Sequence, residues 1–199
     1  YEGENPAIQK KFFGKESGIK GDAIVLRHVL EHIPNPIEFL KHLRDSNGRQ
    51  GLIYIEVPCF DWIMTNRAWF DIFYEHVNYF RLTDFYRFFR RVIYAERTFG
   101  GQYLSIIADL SVLRDPDTRE IDVVHFPENF TEGIETCAEQ ITKRSKQGFH
   151  TVVWGGSSKG VIFSILMSRL KAPIHCVVDI NPAKQNQYLA VSGQRVTSP

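Results

Sequence analysis

Residues 22–36 read Asp22-Ala-Ile-Val-Leu-Arg-His28-Val-Leu-Glu31-His32-Ile-Pro34-Asn-Pro36, and residues 51–58 read Gly51-Leu-Ile-Tyr-Ile-Glu-Val57-Pro58. The run Asp22–Leu26 has the length and apolar character of a strand buried on both faces. His28 to Leu43 carries apolar residues at helical spacing, broken by Pro34 and Pro36. A turn at Ile33–Pro36 and a helix to about Arg44 satisfy both signals. Asp45–Gly48 is a loop, and Gly51–Val57 is a second buried strand that Pro58 stops. Strand, helix and strand in that order form the unit of a parallel α/β sheet.

Working outward, residues 1–20 are polar apart from Phe12-Phe13. Phe60–Phe80 is rich in aromatics, lacks a clean period, and reads as a long functional connection rather than a core element. Thr83 is the expected cap of a helix over Asp84–Arg91 that sets Phe85, Phe88 and Phe89 on one face. The strand Val92–Glu96 follows with no turn residue between, so local signals build no reversal there, and whether residues are missing near Arg91 is left open. Gly100-Gly101 precedes a strand over Gln102–Ala108. A helix starts at Asn129 or Thr131 and runs to about Gln147, where Gly148 stops it. Thr151–Trp154 is a strand, Gly155–Gly160 a glycine loop, Val161–Leu170 a helix and Ile174–Asp179 another strand. That second α/β unit sets the expected division: a first domain over 1–109, a linker and helix over 110–148, and the start of a smaller domain over 149–199.

The 199 residues carry 24 basic and 23 acidic side chains, a formal charge of +1. That balance provides no field for gathering nucleic acid or anionic lipid. No apolar run reaches the roughly 18 residues of a membrane span. The cysteines (Cys59, Cys137 and Cys176) are odd in number and lie in apolar or helical settings. They suit a reduced cytoplasmic protein better than a disulfide scaffold. The oligomeric state is not legible.

Four constellations carry chemistry. His28-Val-Leu-Glu31-His32 has the H-x-x-E-H spacing of a zinc site, but Pro34 cuts the helix that such a site needs, so no metal is expected. Phe80–Arg91 interleaves aromatics with Arg81, Arg87, Arg90 and Arg91; an amphipathic helix explains this as well as base stacking does. Tyr74-Glu75-His76-Val-Asn-Tyr79 places a carboxylate, an imidazole and two phenols together after a strand's carboxyl end, where open α/β sheets bind ligands. His76 is the natural general base. Gly155-Gly-Ser-Ser-Lys159-Gly160, with Asp179 ending the next strand, has the outline of a dinucleotide turn. Ser157 stands where the second glycine belongs, and an architectural turn remains as good a reading as a cofactor site.

Asp22–Pro36 also resembles the fourth-strand motif of class I S-adenosylmethionine-dependent methyltransferases, and Gly51–Pro58 resembles their following strand. Tyr74–Phe80 resembles the Glu-His-x-x-Tyr signature of the sugar C-methyltransferases, which act on nucleotide-linked keto-deoxysugars. Gly100-Gly-Gln-Tyr-Leu104 resembles the glycine pair closing their catalytic domain. Trp154–Gly160, Asp179–Gln185 and Val196–Pro199 resemble their C-terminal Rossmann-like domain. The fold implied is α/β: part of a class I methyltransferase Rossmann-like sheet, then a second, smaller Rossmann-like domain. The resemblance implies S-adenosylmethionine as cofactor and a nucleotide-sugar as substrate. It makes His76 the base, with Glu75 positioning it and Tyr79 and Tyr74 beside the sugar. Leu30, Glu31 and His32 fall near the methionine part of the cofactor. Gly155, Lys159, Gly160 and Asp179 fall to the substrate. The family's tyrosine before the Glu falls on Phe73 here, and its glycine-rich cofactor motif has no counterpart within the sequence and is expected before residue 1. The rival readings are a nicotinamide-dependent sugar oxidoreductase and a nucleotide-sugar-binding module without catalysis.

Overall fold

Ala23–Arg27 forms β1 and Leu52–Pro58 forms β2, and the two pair in parallel with Leu26 opposite Ile55. Between them Leu30–His32 makes one 3-10 turn, and Pro36–Ser46 forms α1. Pro36 starts that helix at the position where a missing N–H is harmless. This is a computed structural model that describes residue 10 and residues 13–117 and 123–199. Parts of the polar opening, Phe12 among them, and of the 110–148 connection lie outside the described residues.

The described residues form two compact units. One holds the residues up to Cys59 and from Val77 through 117; the other holds Phe60–His76 and 123–199. In the first unit β3 (Val92–Thr98) and β4 (Tyr103–Asp109) form a hairpin. β4 is inserted antiparallel beside β2, so the sheet order is β1-β2-β4-β3. The core sits on the pleat: Ile53 faces Ala108, Ile55 faces Ile106 and Val57 faces Leu104, all fully buried. Each large side chain so buried contributes about 1.5–3 kcal/mol. Leu40 and Leu43 of α1 are buried as well. Asn47, also buried, ties the turn before β1 to the turn before β2. Its side chain accepts from the Gly21 N–H and donates to the Gly21 and Gln50 carbonyls.

Three expectations for this unit need correction. α3 runs over Leu82–Phe88, and Thr83 does not cap it. The first turn is closed by Asp84, whose carboxylate accepts from the Arg81 N–H at 2.8 Å. The reversal before β3 is made without a turn residue. Phe89 leaves the helix extended and bridges Leu113, while Arg90 N–H donates to Val112 and Arg114 N–H to Phe88. A neighbouring strand-like segment thus makes the reversal that a turn residue usually makes. Phe80, Phe85 and Phe89 are buried, which leaves their faces to the core rather than to bases.

In the second unit Phe60–Thr65 forms α2 and Trp69–Asp71 a 3-10 turn. Phe60, Ile63, Ala68 and Trp69 are buried, so this stretch is a packed element and not only a connection. Glu132–Lys146 forms α4, Val152–Trp154 β5, Ser158–Arg169 α5, Cys176–Val178 β6 and Val196–Thr197 β7. The sheet is parallel in the order β5-β6-β7. Its core is small: Val177, Leu189 and Val196, flanked by Val153 and Val161. α5 begins three residues earlier than its apolar run, at Ser158, which shortens the glycine loop to Gly155–Ser157. All three cysteines are free thiols. No helix among the described residues is long and apolar enough to cross a membrane.

Candidate functional site

At the carboxyl end of β1 the chain turns sharply. His28 adopts φ 52°, and its N–H still donates to the Glu56 carbonyl of β2. Its imidazole then lies against two acids. Nδ1 is 3.4 Å from Glu31 Oε1, and Nε2 is 3.1 Å from Glu56 Oε1. Glu56 is well supplied with donors, taking Arg27 Nη2 at 2.9 Å and the Tyr54 hydroxyl at 2.9 Å, which in turn accepts from Ser105. Burial pulls the Glu56 carboxyl up, but the Arg27 and Tyr54 hydrogen bonds outweigh it and hold the group below the usual carboxylate range.

Glu31 differs. It is 1% exposed, and neither carboxylate oxygen has a hydrogen-bond donor among the described residues. Burial pushes its carboxyl above the usual range, against the pull of its own backbone and of the His32 and His28 imidazoles. Leu30 beside it is fully buried. The Glu31 carbonyl accepts from Val77 N–H at 2.9 Å and from Asn78 N–H at 3.1 Å, and Asn78 Nδ2 donates to Ile33. The first unit thereby collects Leu30, Glu31, His32 and the segment carrying Tyr79. The zinc spacing of His28 and His32 does not form a helical face, because residues 30–32 are a single 3-10 turn.

The second unit holds the rest of the aromatic motif. Phe73 to His76 is a tight turn in which His76 N–H donates to the Phe73 carbonyl at 3.1 Å. The Phe73 ring packs against the His76 imidazole, centroids 4.0 Å apart and the planes tilted by 42°. Phe73 is buried and Tyr74 is 82% exposed. The Glu75 carboxylate, by its charge and by a hydrogen bond, keeps the Tyr74 phenol protonated above its ordinary range.

The glycine loop is also in the second unit. Gly155 has φ 99°. A Cβ on Gly160 would stand 1.8 Å from the Gly155 carbonyl oxygen, so only glycine lets α5 start this close to the loop. Asp179 latches the loop. Oδ2 accepts from Gly156 N–H at 2.8 Å and Oδ1 from Asn181 N–H at 2.9 Å. Those two hydrogen bonds from peptide N–H groups, helped by Lys184, hold its carboxyl below the usual range despite burial. Lys159 does not meet the loop: its Nζ lies 2.6 Å from Asp71 Oδ1, a buried carboxylate. The lysine that does reach the loop is Lys184, 2.6 Å from Ser157 Oγ and 3.2 Å from the Gly156 carbonyl. Sequence reasoning passed over Lys184, His28 as a carboxylate partner, Glu56 and Asn47. Lys184 had one usable signal, its place just past Asp179 in the Asp-Ile-Asn-Pro-Ala-Lys run.

The mixed sheet, with β1 and β2 in parallel, suits a Rossmann-like methyltransferase fold. Residues 4–92 match the model of a methyltransferase domain, a segment shorter than half of the 199 residues. No curated protein matches the chain. The matched segment includes β1, the Leu30–His32 turn, β2 and the Tyr74–Tyr79 motif. The matched segment is that of a methyltransferase domain, a family of enzymes that take their methyl group from S-adenosylmethionine, and it supports an S-adenosylmethionine-dependent methyltransferase.

Proposed function

We propose that the enzyme methylates a carbon of a nucleotide-linked keto-deoxysugar, with His76 as general base. The observation that carries this reading is the pair of peptide hydrogen bonds from Val77 and Asn78 to the Glu31 carbonyl. They tether the residues following His76 to the carboxyl end of β1, the end at which open α/β sheets hold ligands. Residues 149–199 are then the start of a smaller Rossmann-like domain whose glycine loop serves the nucleotide-sugar, with Gly155 and Gly160 shaping the loop and Asp179 latching it, while Lys159 is held by Asp71.

The cofactor supplies an electrophilic methyl on a cationic sulfonium, and it also carries an ammonium group. A buried carboxylate whose oxygens lack donors fits such a cation, and Glu31 is that group. Leu30 and His32 flank it along the chain and would hold the cofactor with it. On the substrate side, a C–H next to a ketone needs a base that titrates near neutrality and a donor for the growing enolate oxygen. His76 takes the proton at an imidazole nitrogen. The Phe73 ring packs against the imidazole and restricts its rotation, which lowers the cost of orienting it for the transfer. Glu75 orients the base. Tyr74 and Tyr79 are the phenols available to the developing oxyanion, and Tyr74 remains a proton donor at neutral pH.

The test is deuterium uptake from D2O at the sugar carbon next to the ketone, without methyl transfer. The intact enzyme exchanges that hydrogen. His76→Asn slows exchange about 100-fold or more, in the range of a lost general base, and leaves S-adenosylmethionine binding unchanged. Turnover that continues without exchange sinks the carbon-acid mechanism and points to methylation at oxygen or nitrogen instead.

A further inference from the structure

His28 has no part in the roles assigned so far, yet the first unit fixes its side chain at the ligand end of β1. Its backbone takes φ 52°, a region in which a non-glycine residue is uncommon and carries strain. The strain is kept although the His28 N–H still bonds the Glu56 carbonyl, one residue past the end of β1.

The imidazole is anchored on one side. Nε2 lies 3.1 Å from Glu56 Oε1, and the ring meets Tyr103 of β4 edge-on, centroids 5.0 Å apart. Glu56 does not depend on this contact. Arg27 donates to its Oε1 through Nε and Nη2, and the Tyr54 hydroxyl donates to its Oε2. Glu56 is therefore a firm post for His28 to lean on.

With Nε2 on that post, Nδ1 faces Glu31, 3.4 Å from Oε1. This is ion-pair distance without a formed hydrogen bond, and both Glu31 oxygens lack a donor among the described residues. A carboxylate only accepts, so the nitrogen that faces it serves it as an N–H. The Val77 and Asn78 peptides hold the Glu31 carbonyl and leave its carboxylate to other groups. His32, on the same 3-10 turn, also attracts that carboxylate. His28 differs from it in being fixed from a neighbouring strand.

We infer that His28 is a positioning residue of the cofactor site: anchored on Glu56, its imidazole holds the Glu31 carboxylate in place to meet the cationic S-adenosylmethionine. This role rests on the reading of Glu31 as the anion that faces the cofactor.

The test is calorimetric titration of the enzyme with S-adenosylmethionine, comparing His28→Asn with His28→Gln, each alone and combined with Glu31→Gln. Asparagine carries its amide nitrogen in the place of Nδ1 and accepts a positive φ. Glutamine carries its amide nitrogen in the place of Nε2, on the side of Glu56. His28→Gln weakens binding about tenfold, the value of one charge-assisted contact, while His28→Asn stays within about threefold of the parent. In the Glu31→Gln background the two bind alike, because nothing is left for Nδ1 to hold. A histidine that only supports the strained turn would instead lower the unfolding midpoint and cost the same affinity in both backgrounds. The role is overturned if His28→Asn weakens binding as much as His28→Gln, if neither weakens it, or if their difference survives Glu31→Gln. If Glu31→Gln alone leaves affinity unchanged, the reading of Glu31 fails and the role of His28 falls with it. If Glu31→Gln weakens binding and the two His28 variants behave alike, only His28 has been misassigned. Deuterium exchange at the sugar carbon reads the His76 mechanism separately from both.

Discussion

Glu31 and Asp179 are two buried acids, each just past the carboxyl end of a parallel strand, and the fold treats them in opposite ways. Glu31 follows β1 and has no donor on either oxygen among the described residues. Asp179 follows β6, and each of its oxygens takes a peptide N–H, with Lys184 close by. Burial dominates at Glu31 and pushes its carboxyl up, whereas hydrogen bonding dominates at Asp179 and pulls its carboxyl down. A satisfied acid holds architecture, because its lone pairs are used. An orphaned buried acid costs the fold free energy and keeps its lone pairs for something that arrives later. By this contrast the glycine loop with Asp179 is a built latch, and the end of β1 with Glu31 is the open position.

The largest effect should come from breaking the latch sterically. Gly160→Ala sets a methyl 1.8 Å from the Gly155 oxygen, a backbone atom that cannot swing away. The loop and the start of α5 must separate, at about 3 kcal/mol or more. Chemical denaturation reads this directly, and a variant of unchanged stability would mean that the loop is not packed against the helix start.

Asp179→Asn tests the charge of the latch at nearly constant shape. The folded-state carboxyl lies below its unfolded value, so its contribution is present above the usual carboxylate range. That contribution fades as pH falls through the folded value. The variant should therefore unfold more easily than the parent at pH 7, and the gap should close on acidification toward pH 3. A gap independent of pH would assign the effect to lost geometry and not to charge.

The first unit was largely legible in the sequence. Alternating and continuous apolar runs found β1, β2, β3 and β4, and the two prolines placed the start of α1. The position of β4 between β2 and β3 was not legible, because pairing order depends on contacts far apart in sequence. The reversal at Phe89–Arg91 was missed for a related reason: its partners, Val112 and Leu113, lie in another segment and supply what a local turn residue would. In the second unit the aromatic density of Phe60–Phe80 hid α2, since aromatics without a period describe a packed short helix as well as a loop. For the site, residue types gave the roles but not the wiring. Lys159 stands inside the glycine motif yet pairs with Asp71, and Lys184, outside it, occupies the loop. Side-chain reach decides such assignments, and a linear motif does not encode it.

The smallest effect on stability belongs to Glu31, and it has the opposite sign of pH dependence. Its folded-state carboxyl lies above the unfolded value, so the folded protein binds the proton more readily. The stability this contributes is present at low pH and is lost as pH rises out of the usual carboxylate range and through the folded value. Glu31→Gln removes a charge that its surroundings compensate only weakly, through the His28 imidazole 3.4 Å away, and at pH 7 it should be neutral or stabilising, within about 1 kcal/mol. The same change removes the anion proposed to face the cationic cofactor, so S-adenosylmethionine affinity measured by titration should fall about tenfold, the value of one charge-assisted contact. A variant as stable as the parent but weaker in cofactor binding separates a residue held open for a ligand from one that holds the fold. Loss of stability without loss of affinity would move Glu31 to the same side as Asp179 and dissolve the contrast between them.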